Sequence, residues 1–349
     1  MINKKSKIFV AGHKGMVGSA IIRKLKKKGF SKIIFAEKKK LNLLDQDKVF
    51  KFLKKNKPDL VVIAAARVGG IQANSNFKQI FIYENLQIQN NLIHGSYLAK
   101  VKNLIFLGSS CIYPKFCKQP MKESYLLSGK LEETNDAYAI AKIAGITMCY
   151  NYSLKYKLNY QSLMPPNLFG PGDNYDLKNS HFFPALLKKI YLAKIKRKKT
   201  LNVWGTGKPR RELMFVEDFA DALIYFMNKK TKEPFINIGV GKDFTIEWYA
   251  RYIMKKLGVK LKISYDKNRL DGMPKKLLDV SLAKKYGWKP KNNLDYGFDI
   301  TFRDFLKNRF DGMPKKCLDI SLAKKYGWKP TNNLDYGFDL TLRDFLKIR

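Results

Sequence analysis

The feature that most constrains the fold is a glycine-rich turn near the start of the chain. Residues 7–11, KIFVA, form a short apolar run, and GHKGMVG follows at 12–18, before a segment whose apolar residues recur at helical spacing. This order predicts a strand, a tight turn and a helix. Glycines at 12, 15 and 18 permit the turn and let the backbone approach a pyrophosphate, which the helix N-terminus favours. The motif therefore predicts a dinucleotide-binding turn.

Apolar strands and amphipathic helices alternate through the first half of the chain. The predicted elements after the turn are a strand at 33–37, a helix at 46–55, a strand at 59–66, a helix at 83–100, a strand at 103–110, a helix at 136–156 and a strand with a Pro/Gly-rich loop at 159–173. The alternation predicts an α/β fold with a Rossmann-type doubly wound parallel sheet. We expect a nucleotide-binding domain over 1–173, rejoined by 235–250, and a smaller, mainly substrate-binding lobe over 174–309.

The C-terminal part of the chain contains a tandem repeat. Residues 270–309 recur at 310–349 with seven differences in forty aligned positions, and no earlier segment shares this period. A solenoid needs at least three stacked repeats, so a duplication of the terminal segment explains the pattern better. We expect the first copy to fill the native place, because it keeps the ordinary spacing from the rest of the chain, and the second copy to be surplus.

The composition bounds the class of protein. With 349 residues, 45% of them hydrophobic, the chain is long enough for a nucleotide-binding core with a smaller lobe and too apolar for disorder. It contains no membrane-length apolar run and no signal peptide, and Cys111, Cys117, Cys149 and Cys317 form no CxxC pair. We therefore expect a cytoplasmic protein with free thiols, without a metal site or a membrane partner.

The formal net charge of +39 suggests, taken alone, a polyanion partner such as nucleic acid. The positive residues are mostly lysines spread through nearly every predicted helix, as at 24–29 and 194–199, rather than gathered in one stripe. A solvated surface explains this distribution, which is also compatible with steering of anionic ligands. We expect no nucleic acid partner, and a catalytically inactive, basic binding module for RNA or an acidic surface stays as the alternative from a different class.

The end of the second predicted strand bears on the choice of cofactor. An acidic residue there suits the ribose hydroxyl of NAD, and a cation suits the 2′-phosphate of NADP. Glu37 is followed by Lys38, Lys39 and Lys40, so both signals are present. The three lysines favour NADP(H), with Lys38 as the expected contact.

A second motif, Tyr138-Ala-Ile-Ala-Lys142, places a phenol and an ammonium one turn apart on one face of a predicted helix. A neighbouring cation stabilises the phenolate and lowers the tyrosine pKa, so that Tyr138 could exchange a proton with a carbonyl. Ser109 and Ser110 stand at the end of a predicted parallel strand, where the ligand site of such a sheet must lie. The glycine turn, the strand-end serine and YxxxK occur in the order that characterises the short-chain dehydrogenase/reductase superfamily.

Eight stretches narrow this resemblance: GHKGMVGSAI, LNLLD, AAARVGGIQAN, FLGSSCIYPK, KQPMKES, YAIAKIAGI, NSHFFPALL and DGMPKKLLDV. Over about residues 5–309 they resemble the GDP-L-fucose synthase family, extended short-chain enzymes of the NAD-dependent epimerase/dehydratase group. The resemblance implies conversion of GDP-4-keto-6-deoxy-D-mannose to GDP-L-fucose by epimerisation at C3 and C5, followed by reduction at C4 with NADPH. It also implies a homodimer formed through two long helices of the sheet domain.

The resemblance assigns roles around the predicted serine. Cys111 in SSCIYP and His181 in NSH match the positions where this family has an epimerising cysteine and histidine. Protons beside a ketone are acidified through enolate formation, so Cys111 as base and His181 as acid could invert C3 and C5. Tyr138 would supply the proton during reduction, Ser109 would orient the carbonyl, and Lys142 would hold the nicotinamide ribose.

Two further sets of contacts are implied by the resemblance. The cofactor set comprises Gly12, His13, Lys14, Gly15, Met16, Val17, Gly18, Lys38, Leu107, Gly108, Ser109, Ser110, Lys142, Pro165, Pro166, Asn167, Leu168 and His181. The GDP-sugar set comprises Lys189, Trp204, Arg211 and Asp271. Within it, Arg211 suits a diphosphate by bidentate hydrogen bonding and Trp204 offers a flat face.

Three features depart from the family pattern. Lys189 stands where an arginine is common, so a point charge replaces a planar fork. Pro166 stands where a threonine is common beside the cofactor, which removes a hydroxyl and a backbone donor. Asp311 repeats Asp271 in an identical DGMPKK context, so either aspartate could occupy the sugar site.

The nearest alternative is another nucleotide-sugar enzyme on the same scaffold, such as a 4-epimerase or a 4,6-dehydratase. A 4,6-dehydratase usually carries an acid pair beside the serine, where this chain has Ser110-Cys111. A simple 4-epimerase needs no cysteine and histidine pair.

Overall fold

The computed structural model describes residues 1–177, 179–269 and 271–309. Its strands are β1 (Ile8–Ala11), β2 (Ile33–Ile34), β3 (Leu60–Ile63), β4 (Asn103–Leu107), β5 (Asn159–Met164), β6 (Asn167–Phe169), β7 (Thr200–Trp204), β8 (Arg210–Phe215), β9 (Ile236–Asn237), β10 (Asp243–Thr245), β11 (Lys262–Asp266) and β12 (Lys275–Lys276). Its helices are α1 (Met16–Lys27), α2 (Gln46–Asn56), α3 (Ile71–Asn76), α4 (Lys78–Leu98), α5 (Asp136–Tyr156), α6 (Phe182–Ile195), α7 (Val216–Phe226), α8 (Ile246–Lys256), α9 (Ser281–Lys285) and α10 (Leu294–Arg309). The second copy of the terminal repeat, with Asp311 and Cys317, lies outside the described residues.

Six parallel strands form the large sheet, in the order β2-β1-β3-β4-β5-β9. Strands β1 and β3 are buried along their whole length because helices cover both faces. Ile8 and Val10 pack in the cluster that contains α1 and α7, whereas Phe9 and Ala11 pack in the cluster that contains α2 and α4. The predicted α/β fold with a doubly wound parallel sheet is confirmed.

Strand β1 lies between β2 and β3, so the chain adds β2 on one side of β1 and then reverses direction and crosses to add β3 and the later strands on the other side. In such sheets, ligands bind in the crevice at the carboxyl ends of the strands where this reversal occurs. Gly12 follows β1, and a Cβ built on it would lie 2.6 Å from the backbone nitrogen of Ala65, which follows β3. The two strand ends therefore approach each other closely and form the floor of the crevice.

The second lobe is built around β8, which pairs antiparallel with β10 and parallel with β12 and β6. Strands β7 and β11 form a separate parallel pair, and α6, α8 and α10 supply an aromatic-rich core. Of the range 235–250, residues 236–237 pair with β5 of the large sheet and residues 243–245 pair with β8 of the second lobe. Helix α7, which packs on α1 of the large-sheet domain, lies in the sequence between β8 and β10 of the second lobe. The chain therefore passes from the lobe to the large sheet and back.

No helix within the described ranges combines the length and the apolar character that a membrane span requires.

Candidate active site

One cavity of about 1100 Å³ lies at the carboxyl ends of the large sheet, beneath the second lobe. Every predicted catalytic, cofactor and GDP-sugar residue within the described chain lines it. The glycine turn and β4 supply one wall, α5 a second, and α6, β8 and the segment before β12 a third. The fold therefore brings together residues that are far apart in the sequence, from Gly12 in the glycine turn to Lys276 in β12.

The three glycines of the turn have different surroundings. Gly12 has a φ of +89°, in the region that favours glycine, and a Cβ on Gly18 would overlap the carbonyl oxygen of Gly12. A Cβ on Gly15 would meet no protein atom closer than that same oxygen, at 3.5 Å. Helix α1 begins at Met16 with no acidic residue in its first turn and no side-chain cap, so its N–H groups suit an anion. The turn fits the pyrophosphate of a dinucleotide.

An exposed ion pair joins the glycine turn to the residues that follow β2. Lys14 Nζ lies 2.7 Å from Glu37 Oε1, and this hydrogen bond lowers the pKa of Glu37. The His13 ring stacks on Phe35 with 4.8 Å between ring centres. Lys38 lines the cavity, so a cation is present at the position where a 2′-phosphate is expected.

Tyr138 and Lys142 line the cavity from the first turns of α5. This helix approaches the sheet closely at Gly145, where a Cβ would lie 2.5 Å from the ring of Phe106 in β4. Lys142 Nζ donates a 2.7 Å hydrogen bond to the carbonyl oxygen of Leu107 and lies 5.7 Å from the centre of the Tyr138 ring. The YxxxK spacing thus places both groups at the end of β4, as the sequence predicts.

Burial dominates the electrostatics of this pair. It lowers the pKa of Lys142 to about 7. It also raises the pKa of Tyr138, with a contribution from the nearby Cys111, although a hydrogen bond with Ser109 opposes the rise. The prediction that the lysine lowers the tyrosine pKa is wrong for this arrangement, because the buried lysine is itself only weakly held in its charged form. Tyr138 is therefore a phenol that keeps its proton.

Cys111 lies one turn beyond β4 and has several polar neighbours. Lys276 Nζ donates to Cys111 Sγ at 3.2 Å, and Asn135 Nδ2 approaches the same sulfur at 3.7 Å. Burial raises the pKa of Cys111, but the charge of Lys276, hydrogen bonds with Ser109 and Lys276, and the charge of Arg211 together place that pKa below its ordinary value. The site therefore makes the thiolate of Cys111 easier to form than that of an ordinary cysteine.

His181 immediately precedes α6 and faces the cavity. Its side chain is exposed to the space inside the cavity, yet protein surrounds it, and this enclosure lowers its pKa, with a smaller contribution from the charge of Lys276. The loop before it is held by a 3.1 Å hydrogen bond from Gly70 N–H to the carbonyl oxygen of Asn179. His181 therefore faces the same space as Cys111 from the opposite lobe.

Arg211 and Asp271 are joined in the second lobe. Arg211 is 8% exposed, and its Nη2 donates at 3.3 Å to the backbone carbonyl oxygen of Asp271. The carboxylate of Asp271 accepts two 2.7 Å hydrogen bonds, from the N–H and the hydroxyl of Thr206. Asp271, from the first copy of the repeat, therefore fixes the turn after β7 at the edge of the cavity.

Trp204 ends β7 and presents a flat, 40% exposed side chain to the cavity. Lys189 Nζ lies 4.7 Å from the centre of its ring, and the guanidinium of Arg269 lies 4.8 Å from it. Both contacts are cation–π interactions. Burial lowers the pKa of Lys189. This edge of the cavity therefore combines an aromatic face with positive charge, which suits a nucleotide.

The polar residues that line the cavity without a predicted role include Glu132, Asn135 and Lys276, which lie around Cys111 and Arg211. Lys276 belongs to the DGMPKK stretch, from which only Asp271 was selected. No spacing rule could join Lys276 to Cys111, because the two residues are 165 positions apart and meet through the pairing of β12 with β8 and the bridge between Met121 and Leu278.

This site matches a known class. Residues 8–239 match the NAD dependent epimerase/dehydratase family, and the chain belongs to that family. A "Putative GDP-L-fucose synthase 2" of Arabidopsis thaliana is 46% identical over 306 residues, which cover 88% of this chain and 93% of that protein. The GDP-L-fucose synthase of Escherichia coli (strain K12) is 44% identical over 311 residues, covering 86% of this chain and 97% of that protein. The resemblance inferred from the motifs is confirmed.

A solved structure shows the same architecture. MlghC, a GDP-mannoheptose C4 reductase from Campylobacter jejuni with NADP bound, superposes with a TM-score of 0.80 at 36% sequence identity. The match covers 88% of this chain and 100% of that chain. The fold thus extends over nearly all of the described residues.

Proposed function

We propose that this enzyme makes GDP-L-fucose from GDP-4-keto-6-deoxy-D-mannose, by epimerisation at C3 and C5 and then reduction of the C4 ketone with NADPH. The observation that carries the proposal is that one cavity holds two sets of groups. Ser109, Tyr138 and Lys142 suit reduction, and Cys111 and His181 suit epimerisation. The two GDP-L-fucose synthases that match the chain at 44 and 46% identity support the same reaction.

NADP(H) fits the wall formed by the glycine turn. The N–H groups at the start of α1 would hold the pyrophosphate, and Lys38 would pair with the 2′-phosphate. Lys142 would hold the nicotinamide ribose. When bound, NADPH supplies a hydride to C4 of the sugar. The remaining cofactor contacts proposed from the sequence all line the same cavity, including Pro165, Pro166, Asn167 and Leu168.

Epimerisation requires a base and an acid on opposite faces of the sugar. Cys111, as a thiolate, removes a proton from the carbon beside the ketone, so that the C–H bond breaks, an S–H bond forms and the electron pair moves to O4. His181 donates a proton to the opposite face, and its N–H bond breaks as the new C–H bond forms. Exchange of both groups with water restores them before the second carbon is inverted.

Reduction requires a hydrogen-bond donor at O4 and a proton for the new alkoxide. Ser109 orients the carbonyl, and Tyr138 donates its phenolic proton to O4 as negative charge develops there. The raised pKa of Tyr138 keeps that proton in place at neutral pH. The negative charge left on the tyrosine is passed to solvent when the phenol regains a proton.

The GDP part of the substrate is assigned to the second lobe. Arg211 would bind the diphosphate by bidentate hydrogen bonds, and Trp204 with Lys189 would cover the nucleoside. Asp271 would act by fixing the turn that follows Trp204 through Thr206. In this proposal the first copy of the terminal repeat completes the site.

The proposed assembly is a homodimer formed through α4 and α5. These helices pack together and leave large apolar side chains exposed, among them Tyr83, Leu98, Leu154 and Tyr156. Light scattering after size-exclusion chromatography should give twice the chain mass, and Leu154→Glu should give a monomer. The proposed compartment is the cytoplasm, supported by the free thiols of Cys111, Cys117 and Cys149 and by the use of NADPH.

The proposal is tested by incubating the enzyme with GDP-4-keto-6-deoxy-D-mannose and NADPH, following cofactor oxidation and identifying the sugar by NMR. We expect GDP-L-fucose as the product. A product reduced at C4 without inversion would instead support the function named for the Campylobacter structure, a C4 reductase of GDP-sugars. No cofactor oxidation by folded protein that binds NADPH would contradict both functions.

A further inference from the structure

Two neighbouring lysines of β12 have opposite surroundings. Strand β12 pairs with β8 so that Lys275 lies opposite Arg210 and Lys276 lies opposite Arg211. Successive side chains of a strand point to opposite faces. On the outer face, Asp243 accepts from Arg210 at 2.7 Å and lies 3.9 Å from Lys275. On the inner face, Arg211 and Lys276 line the cavity and are 8 and 9% exposed.

Lys276 is a buried cation whose counter-charge must be found nearby. Among the described residues, its side chain forms no ion pair with a carboxylate, and its hydrogen bond goes to Cys111 Sγ at 3.2 Å. Burying an ammonium without a partner of opposite charge is costly. A thiolate at Cys111 supplies the negative charge, whereas a neutral thiol would leave Lys276 unpaired.

We propose that Lys276 is a positioning residue that holds Cys111 as a thiolate, ready to remove the proton from the sugar. This inference rests on the proposed function, because it deepens the role of Cys111 as the base of the epimerisation. When Cys111 becomes a thiol during the reaction, Lys276 favours the return of that proton to water and so restores the base.

Lys276 is one of several groups that act on the pKa of Cys111. Arg211 on β8 contributes a second positive charge, and Ser109 and Asn135 contribute neutral polar contacts. Tyr138 on α5 stays protonated. Across the cavity, the charge of Lys276 also acts on His181. Removing this charge is therefore expected to raise the pKa of both Cys111 and His181, with the larger change at the sulfur in contact.

The direct test measures the thiol without any substrate. Alkylation of Cys111 by iodoacetamide is followed against pH by mass spectrometry of the peptide, which separates it from the other cysteines. We compare the wild type, Lys276→Met, Lys276→Arg and the matched control Lys275→Met. In Lys276→Met, the pH at which alkylation reaches half of its maximal rate should rise by about one unit. This shift corresponds to about a tenfold loss of rate near neutral pH.

Lys276→Arg keeps the charge and should restore most of the reactivity, and Lys275→Met should match the wild type. Far-ultraviolet circular dichroism and NADPH titration establish that each variant is folded. Superimposable profiles for Lys276→Met and the wild type would overturn the proposal. So would an equal shift in Lys275→Met, because its side chain lies on the outer face.

A second readout separates this role from simple substrate binding. In deuterium oxide, Lys276→Met should exchange the sugar protons at C3 and C5 at least about tenfold more slowly, with the pH optimum of exchange moved upward and the KM for the GDP-sugar little changed. A raised KM with an unchanged optimum would assign Lys276 to the diphosphate and overturn the proposal. Failure of the wild type to exchange these protons would contradict the proposed function, whereas the alkylation profiles would still decide whether Lys276 holds a thiolate.

Discussion

The large sheet and the second lobe have opposite effects on the protonation of the groups in the cavity. On the side of the large sheet, burial keeps Tyr138 protonated and lowers the pKa of Lys142 to about 7, so both groups tend toward their neutral forms. Cys111 follows β4 of the same sheet, but the charges of Lys276 and Arg211 from the second lobe, together with hydrogen bonds from Lys276 and Ser109, outweigh burial and lower its pKa. The large sheet thus carries the proton donor, and the second lobe supplies the charges that make Cys111 a stronger candidate base. The difference explains how one cavity could serve two reactions that need opposite proton transfers.

The largest expected effect tests whether the donor side serves reduction alone. Tyr138→Phe keeps the ring and removes the phenolic proton, so NADPH oxidation should fall by about 10³-fold. Exchange of the C3 and C5 protons in deuterium oxide should continue, because Cys111 is untouched. Tyr150→Phe, on the same helix but away from the cavity, is the matched control. Loss of exchange together with reduction would break the proposed separation.

The reciprocal change tests the base side. Cys111→Ser replaces the thiolate by a hydroxyl that stays protonated, so proton exchange should fall by about 10²-fold. Reduction at C4 should continue and give a product that is not inverted, which NMR would identify. Cys117→Ser, whose side chain lies outside the cavity lining, should behave as the wild type. Normal exchange in Cys111→Ser would place the base elsewhere.

The pH dependence should also differ between the two sides. Exchange needs a thiolate at Cys111 and a protonated His181, so its rate should form a bell between their pKa values, with the thiol value below the ordinary 9.0 and the histidine value below 6.5. Reduction needs Tyr138 protonated, and because its pKa lies above the ordinary 10.0, loss of this proton should not slow reduction as the pH rises from neutral to 9.0. A change in the KM for NADPH near pH 7 would report Lys142 instead, because burial lowers its pKa to about 7.

The pH profile of reduction is measured as NADPH oxidation by the Cys111→Ser variant. Because this variant should not epimerise the sugar, proton exchange does not contribute to the profile. Coincident bells for exchange and reduction would show that a single titration controls both reactions. That outcome would contradict the contrast drawn between the two sides.

The smallest expected effect concerns the glycine turn, which the two reactions share. Gly15→Ala adds a methyl group that meets no protein atom closer than 3.5 Å, so thermal stability should be unchanged while the KM for NADPH rises by about tenfold. Gly18→Ala forces a methyl group into the carbonyl oxygen of Gly12 and should lower the melting temperature as well. Calorimetry and cofactor titration distinguish the two, and equal losses of stability would refute this interpretation of the turn.

The contrast between the two sides also explains what the sequence could predict. Tyr138 and Lys142 lie on one helix, predicted at 136–156 and found at Asp136–Tyr156, so local spacing sufficed to pair them. The strand predicted at 33–37 is shorter, Ile33–Ile34, because the edge of the sheet leaves Phe35 49% exposed. The expected effect of the lysine on the tyrosine was wrong because spacing carries no information about burial.

The base side depends on contacts that local patterns do not encode. Cys111, His181 and Lys276 come from three separate segments, which line one cavity after β4, before α6 and in β12, and β12 is held there by its pairing with β8. Family resemblance selected the cysteine and the histidine. It was not used to select Lys276, whose contact with the sulfur is visible only in the folded chain.

In the proposed reaction, a single cavity inverts two carbons of the sugar and reduces a third. The most direct test is to run the full reaction in deuterium oxide with unlabelled NADPH and to locate deuterium in the product by NMR, with an enzyme-free incubation to measure spontaneous exchange. We predict GDP-L-fucose carrying deuterium at C3 and C5 and none at C4. A reduced product without deuterium at C3 and C5 would show that only the reducing side of the cavity operates, and would contradict the proposed reaction.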